Sequence, residues 1–118
     1  MRENLIENES FKFAILITQL YKDLVENKKE FILSKQLLKS GTSVGANVRE
    51  ALNAQSKKDF LSKMNIALKE VNEARYWIEL LIEAKYLDGE KASDSLVKSD
   101  EIYKILSSIV KTTKQRLV

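Results

Sequence analysis

Apolar side chains return along much of this 118-residue chain at alternating intervals of four and three, the spacing of one face of an α-helix. The longest run is Phe60, Met64, Ala67, Val71, Ala74, Ile78 and Leu81, and it predicts a helix over about residues 57–87. Both of its ends carry signals. Ser56 with Asp59 three residues on resembles a capping box, and Gly89 is placed to supply a left-handed closing residue. An earlier row of Phe13, Ile17, Leu20 and Leu24, with Ala14 and Tyr21 beside it, predicts a helix over about 10–26. Leu37, Gly41, Val44, Val48 and Ala51 predict another over about 35–54, with Ser34 as N-cap and Phe31 and Ile32 stapling its first turn. The last helix, over about 93–116, is read from Leu96, Tyr103, Val110 and Leu117, seven apart and flanked by Ile102, Leu106 and Ile109. Short polar connections set consecutive helices antiparallel. The expected fold is all-α: one up-down-up-down four-helix bundle domain spanning 1–118.

Two features disturb this regular picture. Gly41 and Gly45 lie inside the second helix, where each glycine costs about 1 kcal/mol relative to alanine. The expected reason is close approach by a bulky side chain from a neighbouring helix; a backbone-lined ligand notch is the other reading. The second feature is the end of the third helix, where Tyr76, Trp77, Leu80, Tyr86 and Leu87 leave little polar face. A monomeric bundle keeps a solvent side, so these residues are expected to line an oligomer interface in a self-associating ring or dimer.

Composition then narrows the chemistry. The chain has no proline, three glycines and 31% charged residues, in keeping with an all-helical protein. It has no cysteine, which excludes disulfides and thiolate metal sites. It has no histidine either, so a hydrolytic triad lacks its base and a di-iron bundle lacks its Glu-x-x-His ligands. No cofactor or metal is expected, and no enzymatic activity. No segment reads as a signal peptide or membrane span, so a soluble, cytoplasmic protein is expected. Asn47, Glu50, Glu70, Glu73 and Arg75 are read as a polar network fixing helix register, with Arg75 neutralising one or two of the glutamates. A small acid–base enzyme built on Glu50, Glu70 and Glu73 is a remote alternative.

Net charge is +3, and the antiparallel order gathers Lys57, Lys58, Lys63, Lys111, Lys114 and Arg116 at one end of the bundle, diluted by Asp59, Glu7 and Glu9. Two readings of that set stay open. Cations in a last helical turn complement the helix dipole and need no further purpose. Alternatively they form a surface for RNA or DNA, working through phosphate contacts with steep salt dependence and without sequence readout. No aromatic residue interleaves them as a stacking platform would require.

Three stretches carry a resemblance. S-V-G-A-N-V-R-E-A (Ser43 to Ala51), K-D-F-L-S-K-M-N-I-A-L-K-E-V-N-E-A-R-Y-W-I-E-L-L (Lys58 to Leu81) and A-K-Y-L (Ala84 to Leu87) resemble the four-helix-bundle proteins encoded in intervening sequences of bacterial 23S rRNA genes. The resemblance implies a bacterial homo-oligomer, typically pentameric, built of antiparallel four-helix bundles. A related branch, the accessory proteins of diversity-generating retroelements, implies a basic barrel that binds nucleic acid and a reverse transcriptase. Two departures stand out: Val48-Arg49-Glu50-Ala51 where the family often has Ile-Ala-Glu-Gly, and a weaker positive charge than that branch carries. The leading expectation is a non-enzymatic, RNA- or DNA-associated accessory protein; the alternative is a protein–protein interaction scaffold that binds no nucleic acid.

Overall fold

The computed structural model describes residues 2–117, which form α1 (Arg2–Glu26), α2 (Leu33–Leu52), α3 (Lys57–Glu83) and α4 (Gly89–Leu117), with no strand among them. The helices are arranged in a cycle: α1 and α3 each pack against α2 and α4 and lie diagonally across from one another. Polar contacts fix their directions. Arg2 Nη1 donates to Ser108 Oγ at 2.7 Å, and Asp23 pairs with Lys91 at 3.3 Å, so the two ends of α1 meet opposite ends of α4. Glu7 meets Arg49 at 3.5 Å, which sets α1 antiparallel to α2 as well. The result is a rod of 48 × 21 × 20 Å.

Each helix buries one stripe. Met64, Ala67, Val71, Ala74, Ile78 and Leu81 on α3 are all buried, and so are Leu37, Gly41, Val44, Val48 and Ala51 on α2. Each large side chain so removed from water contributes about 1.5–3 kcal/mol. Gly41 is indeed a point of close approach, because a Cβ there would lie 2.7 Å from both Cγ1 and Cγ2 of Ile17 on α1.

Buried serines explain where the sequence pattern misplaced a helix. α1 begins at Arg2 rather than near Ser10, because its stripe runs Ile6, Ser10, Phe13, Ile17, Leu20 and Leu24. In α4 the stripe is Ala92, Ser95, Ser99, Ile102, Leu106 and Ile109, with Val110 beside it. The seven-residue row therefore follows the core only in part: Val110 is buried, Leu96 is half-buried, and Tyr103 and Leu117 are exposed. Two of these hydroxyls find a nearby carbonyl, Ser10 donating to Glu7 O (3.1 Å) and Ser99 to Leu96 O (2.7 Å).

The helix ends also depart from expectation, with Ser56 the exception. Its Oγ accepts from the Asp59 amide at 3.0 Å, as the capping signal predicts. Gly89, by contrast, does not close α3; it opens α4. Closure falls to Lys85, at φ 69°, with Lys85 N–H donating to Ile82 O (3.0 Å) and Tyr86 N–H to Leu81 O (2.9 Å). That pair of bonds is a Schellman motif with lysine in the left-handed position. At the start of α2, Ser34 is not the N-cap but a buried helical residue. The Glu30 side chain caps instead, accepting from the amides of Ile32 (3.2 Å), Leu33 (3.0 Å) and Ser34 (2.7 Å). Phe31 and Ile32 do not staple the turn; they are 56% and 75% exposed.

One further contact ties the waist. Lys98 Nζ on α4 donates to Glu9 Oε1 on α1 at 2.6 Å, with both side chains largely sheltered. That bond raises the Lys98 pKa and lowers that of Glu9, each against the effect of burial.

Candidate nucleic-acid interface

Lys57 and Lys58 occupy the first turn of α3, and Lys111, Lys114 and Arg116 the last turns of α4, all exposed. The antiparallel packing of α3 and α4 brings these segments to one end of the rod. Among the described residues none of the five forms an ion pair, whereas Lys63 is held by Asp59 at 3.4 Å. Lys63 is thus engaged locally rather than free. The set was also incomplete. Because α1 starts at Arg2, that guanidinium reaches the same end, where Arg2, Lys57 and Arg116 line a recess of about 190 Å³. The signal that would have placed it was Ile6, seven residues before Phe13, hidden by the serine between them.

Arg49, at the end of α2, is committed elsewhere. Its guanidinium lies 5.4 Å over the Phe11 ring and meets Glu7. The opposite end of the rod has a different character: a recess of about 500 Å³ there is lined by Asp23, Asp88 and Glu90 with Lys28 and Lys91. Asp23 is kept below its ordinary pKa first by a hydrogen bond from Asn27 and then by Lys91, against burial. Of these two recesses, only the one beside Arg2, Lys57 and Arg116 has cations in the majority.

The expected register network is not formed. Arg75 pairs with Asp100 of α4 at 3.3 Å and touches neither glutamate, since five helical steps from Glu70 turn it toward the other flank of α3. Glu70 is raised in pKa by burial and then by the neighbouring Glu73, with Lys39 of α2 opposing. Glu73 accepts from Trp77 Nε1 at 3.3 Å, Asn47 Nδ2 donates to Ser43 O at 2.9 Å, and Glu50 is exposed without an ion pair. Nor is the expected interface set uniform: Leu87 is 4% exposed and belongs to the chain's own core. Tyr76 and Tyr86 are exposed and Trp77 and Leu80 half-buried, with the Tyr76 and Trp77 rings meeting edge-on at 5.1 Å.

An all-helical bundle of this topology, with one cationic end and no cluster of metal-ligating residues among those described, is the class of protein that fold and surface define. The chain belongs to the 23S rRNA-intervening sequence protein family, whose model matches residues 2–108. It is similar to a crystal structure from Bacteroides thetaiotaomicron, a protein with unknown function from the S23 ribosomal protein family. The two share 52% identity over 94% of this chain and 99% of that one, with a TM-score of 0.91. No curated protein matches the chain. No helix among the described residues is long and apolar enough to cross a membrane.

Proposed function

We propose that the protein is a non-enzymatic accessory protein that binds RNA through its cationic end and works as a homo-oligomer. The observation that carries the first part is the run of unpaired cations Lys57, Lys58, Lys111, Lys114 and Arg116, joined by Arg2, on helix termini at one end. Lysines and arginines without a carboxylate partner are free to neutralise phosphates and so release the cations condensed on the nucleic acid. With roughly four phosphate contacts, affinity for a labelled structured RNA should fall about a hundredfold between 50 and 200 mM salt. Replacing Lys57, Lys58, Lys111, Lys114 and Arg116 with glutamine should flatten that slope. Absent binding at the lower salt, or binding indifferent to salt, would leave the protein–protein scaffold as the better account.

Homo-oligomerisation is supported by apolar surface in two places. On the α1 side, Phe11, Ile15 and Val97 are exposed. Phe11 also borders a groove of about 190 Å³ with Ala14, Gly45 and Ala46. On the α3 side are Tyr76, Trp77 and Leu80. Lys39 acts on Glu70, so seven residues back along α2 and seven forward along the antiparallel α3, Ile32 comes level with Trp77. α1 and α3 are diagonal and both pack against α2, so the two surfaces are distinct and lie on either side of α2. Two unlike patches join head to tail, and when they are inclined to one another such contacts close as a ring; a pentamer is the ring we favour. Phe11→Glu or Trp77→Glu should each reduce the particle toward 13.6 kDa in sedimentation equilibrium. Mixing the two variants should restore a dimer and nothing larger, since only one intact junction is available. A larger particle from the mixture would show that the patches do not meet each other.

A further inference from the structure

We propose that the recess at the cationic end receives the terminal phosphate of a nucleic-acid strand. The proposal deepens the RNA-binding reading and rests on it. The recess lies where the first turns of α1 and α3 meet the last turns of α4, and Arg2, Lys57 and Arg116 line it together with Glu3. Three cations against one carboxylate leave two positive charges in excess, matching a phosphomonoester, which carries about −1.5 to −2 at neutral pH. A phosphodiester carries a single negative charge and is flanked by sugars on both sides, so it tracks along a surface instead of entering a concavity. The space, about 190 Å³, exceeds several times the roughly 30 Å³ share of one water molecule, so a tetrahedral anion has room.

The donors are already in place. Arg2 is steadied by its 2.7 Å bond to Ser108, which uses one guanidinium N–H and leaves the others for an anion. Thr112 and Thr113 both line the recess. Thr113 spends its hydroxyl on Ile109 O at 2.7 Å, whereas the Thr112 hydroxyl has no partner among the described residues. Phe60 and Ile109 give the recess an apolar part of its lining, and a less polar surrounding strengthens charge-assisted hydrogen bonds formed there.

The test compares one short RNA sequence carrying a 5′-phosphate, a 3′-phosphate or hydroxyls at both ends, with a mononucleoside 5′-monophosphate as a fourth ligand. At least one phosphorylated strand should bind about tenfold more tightly than the hydroxyl form. Thr112→Val should reduce that preference while leaving the melting temperature and the affinity for the hydroxyl strand nearly unchanged. Arg116→Gln, which also removes one of the RNA-binding cations, should weaken all strands and the phosphorylated one most. The preference should fade below about pH 6, where the monoester becomes a monoanion. The chain has no histidine to produce such a profile itself. Equal affinity for all three strands would overturn terminal-phosphate recognition and leave the RNA-binding reading standing. Failure of every strand to bind would overturn both. A mononucleotide that binds as tightly as the strands would make this a small-molecule phosphate site, which also overturns strand-end recognition.

Discussion

Gly41→Val is expected to destabilise the bundle by about 3 kcal/mol or more, and Gly41→Ala by about 1–2 kcal/mol. An alanine at this helical position gains about 1 kcal/mol in propensity, so the sign depends on the clash. Its Cβ would lie 2.7 Å from two Ile17 carbons and 3.0 Å from the Ile17 Cβ, all within the branch point of that side chain. A flexible chain end could swing away. A β-branched residue on a helix is held in one rotamer and cannot, so α1 itself must shift. Ile17→Ala alone removes a fully buried side chain at a cost of about 2–5 kcal/mol. It also clears the space that the new methyl needs. The double variant Gly41→Ala, Ile17→Ala should therefore be more stable than the sum of its parts by about 1–3 kcal/mol. Urea midpoints measure all three. Additive losses, or an alanine variant as stable as the parent, would show that α1 and α2 are not in tight contact here. Gly45→Ala serves as the control, since its Cβ meets Ser10 at 3.4 Å and should change stability by less than about 1 kcal/mol.

The same contact shows what could be read from the sequence. A glycine in the inward row of a helix implies a large neighbour, and the structure supplies Ile17. The inward row of α3 is legible because every position in it is apolar, and that of α2 because Leu37, Gly41, Val44, Val48 and Ala51 keep the spacing beside the buried Ser34 and Ser40. Where serine occupies an inward position the periodicity breaks, which is why the first two turns of α1 and the true stripe of α4 went unread. The cationic end was legible in outline, because helix order alone brings the start of α3 beside the end of α4. Arg2 was lost with the start of α1, and with it the recess. The Asn47, Glu50, Glu70, Glu73 and Arg75 network failed for another reason. Partners on a bundle depend on which flank of a helix faces which neighbour, and spacing along one helix leaves that open. Arg75 lies on the α4 flank and Glu70 on the α2 flank, so Asp100 and Lys39 are their respective neighbours.

Glu30→Ala is expected to destabilise the protein by about 2–3 kcal/mol at neutral pH, through the turn that joins α1 to α2. Three backbone amides converge on this carboxylate, and those of Leu33 and Ser34 belong to residues with little access to water. Removing the acceptor leaves them unmet, and it removes an anion from a helix N-terminus. The pH dependence separates these contributions. Burial pushes the Glu30 pKa up, but the three amides outweigh it and the folded pKa is lowered. A lowered folded pKa means that this stabilisation is complete above the unfolded value of about 4.3 and is lost as pH falls through the folded one. The stability gap between the parent and Glu30→Gln should therefore hold steady from pH 7 to about 5 and close below about 4. A gap unchanged down to pH 3 would assign the effect to packing instead of charge. The turn also carries Phe31 and Ile32, exposed on the side proposed to meet a second subunit. Loosening it should weaken assembly in step with stability, so the Glu30→Ala particle should shift toward 13.6 kDa at concentrations where the parent stays assembled.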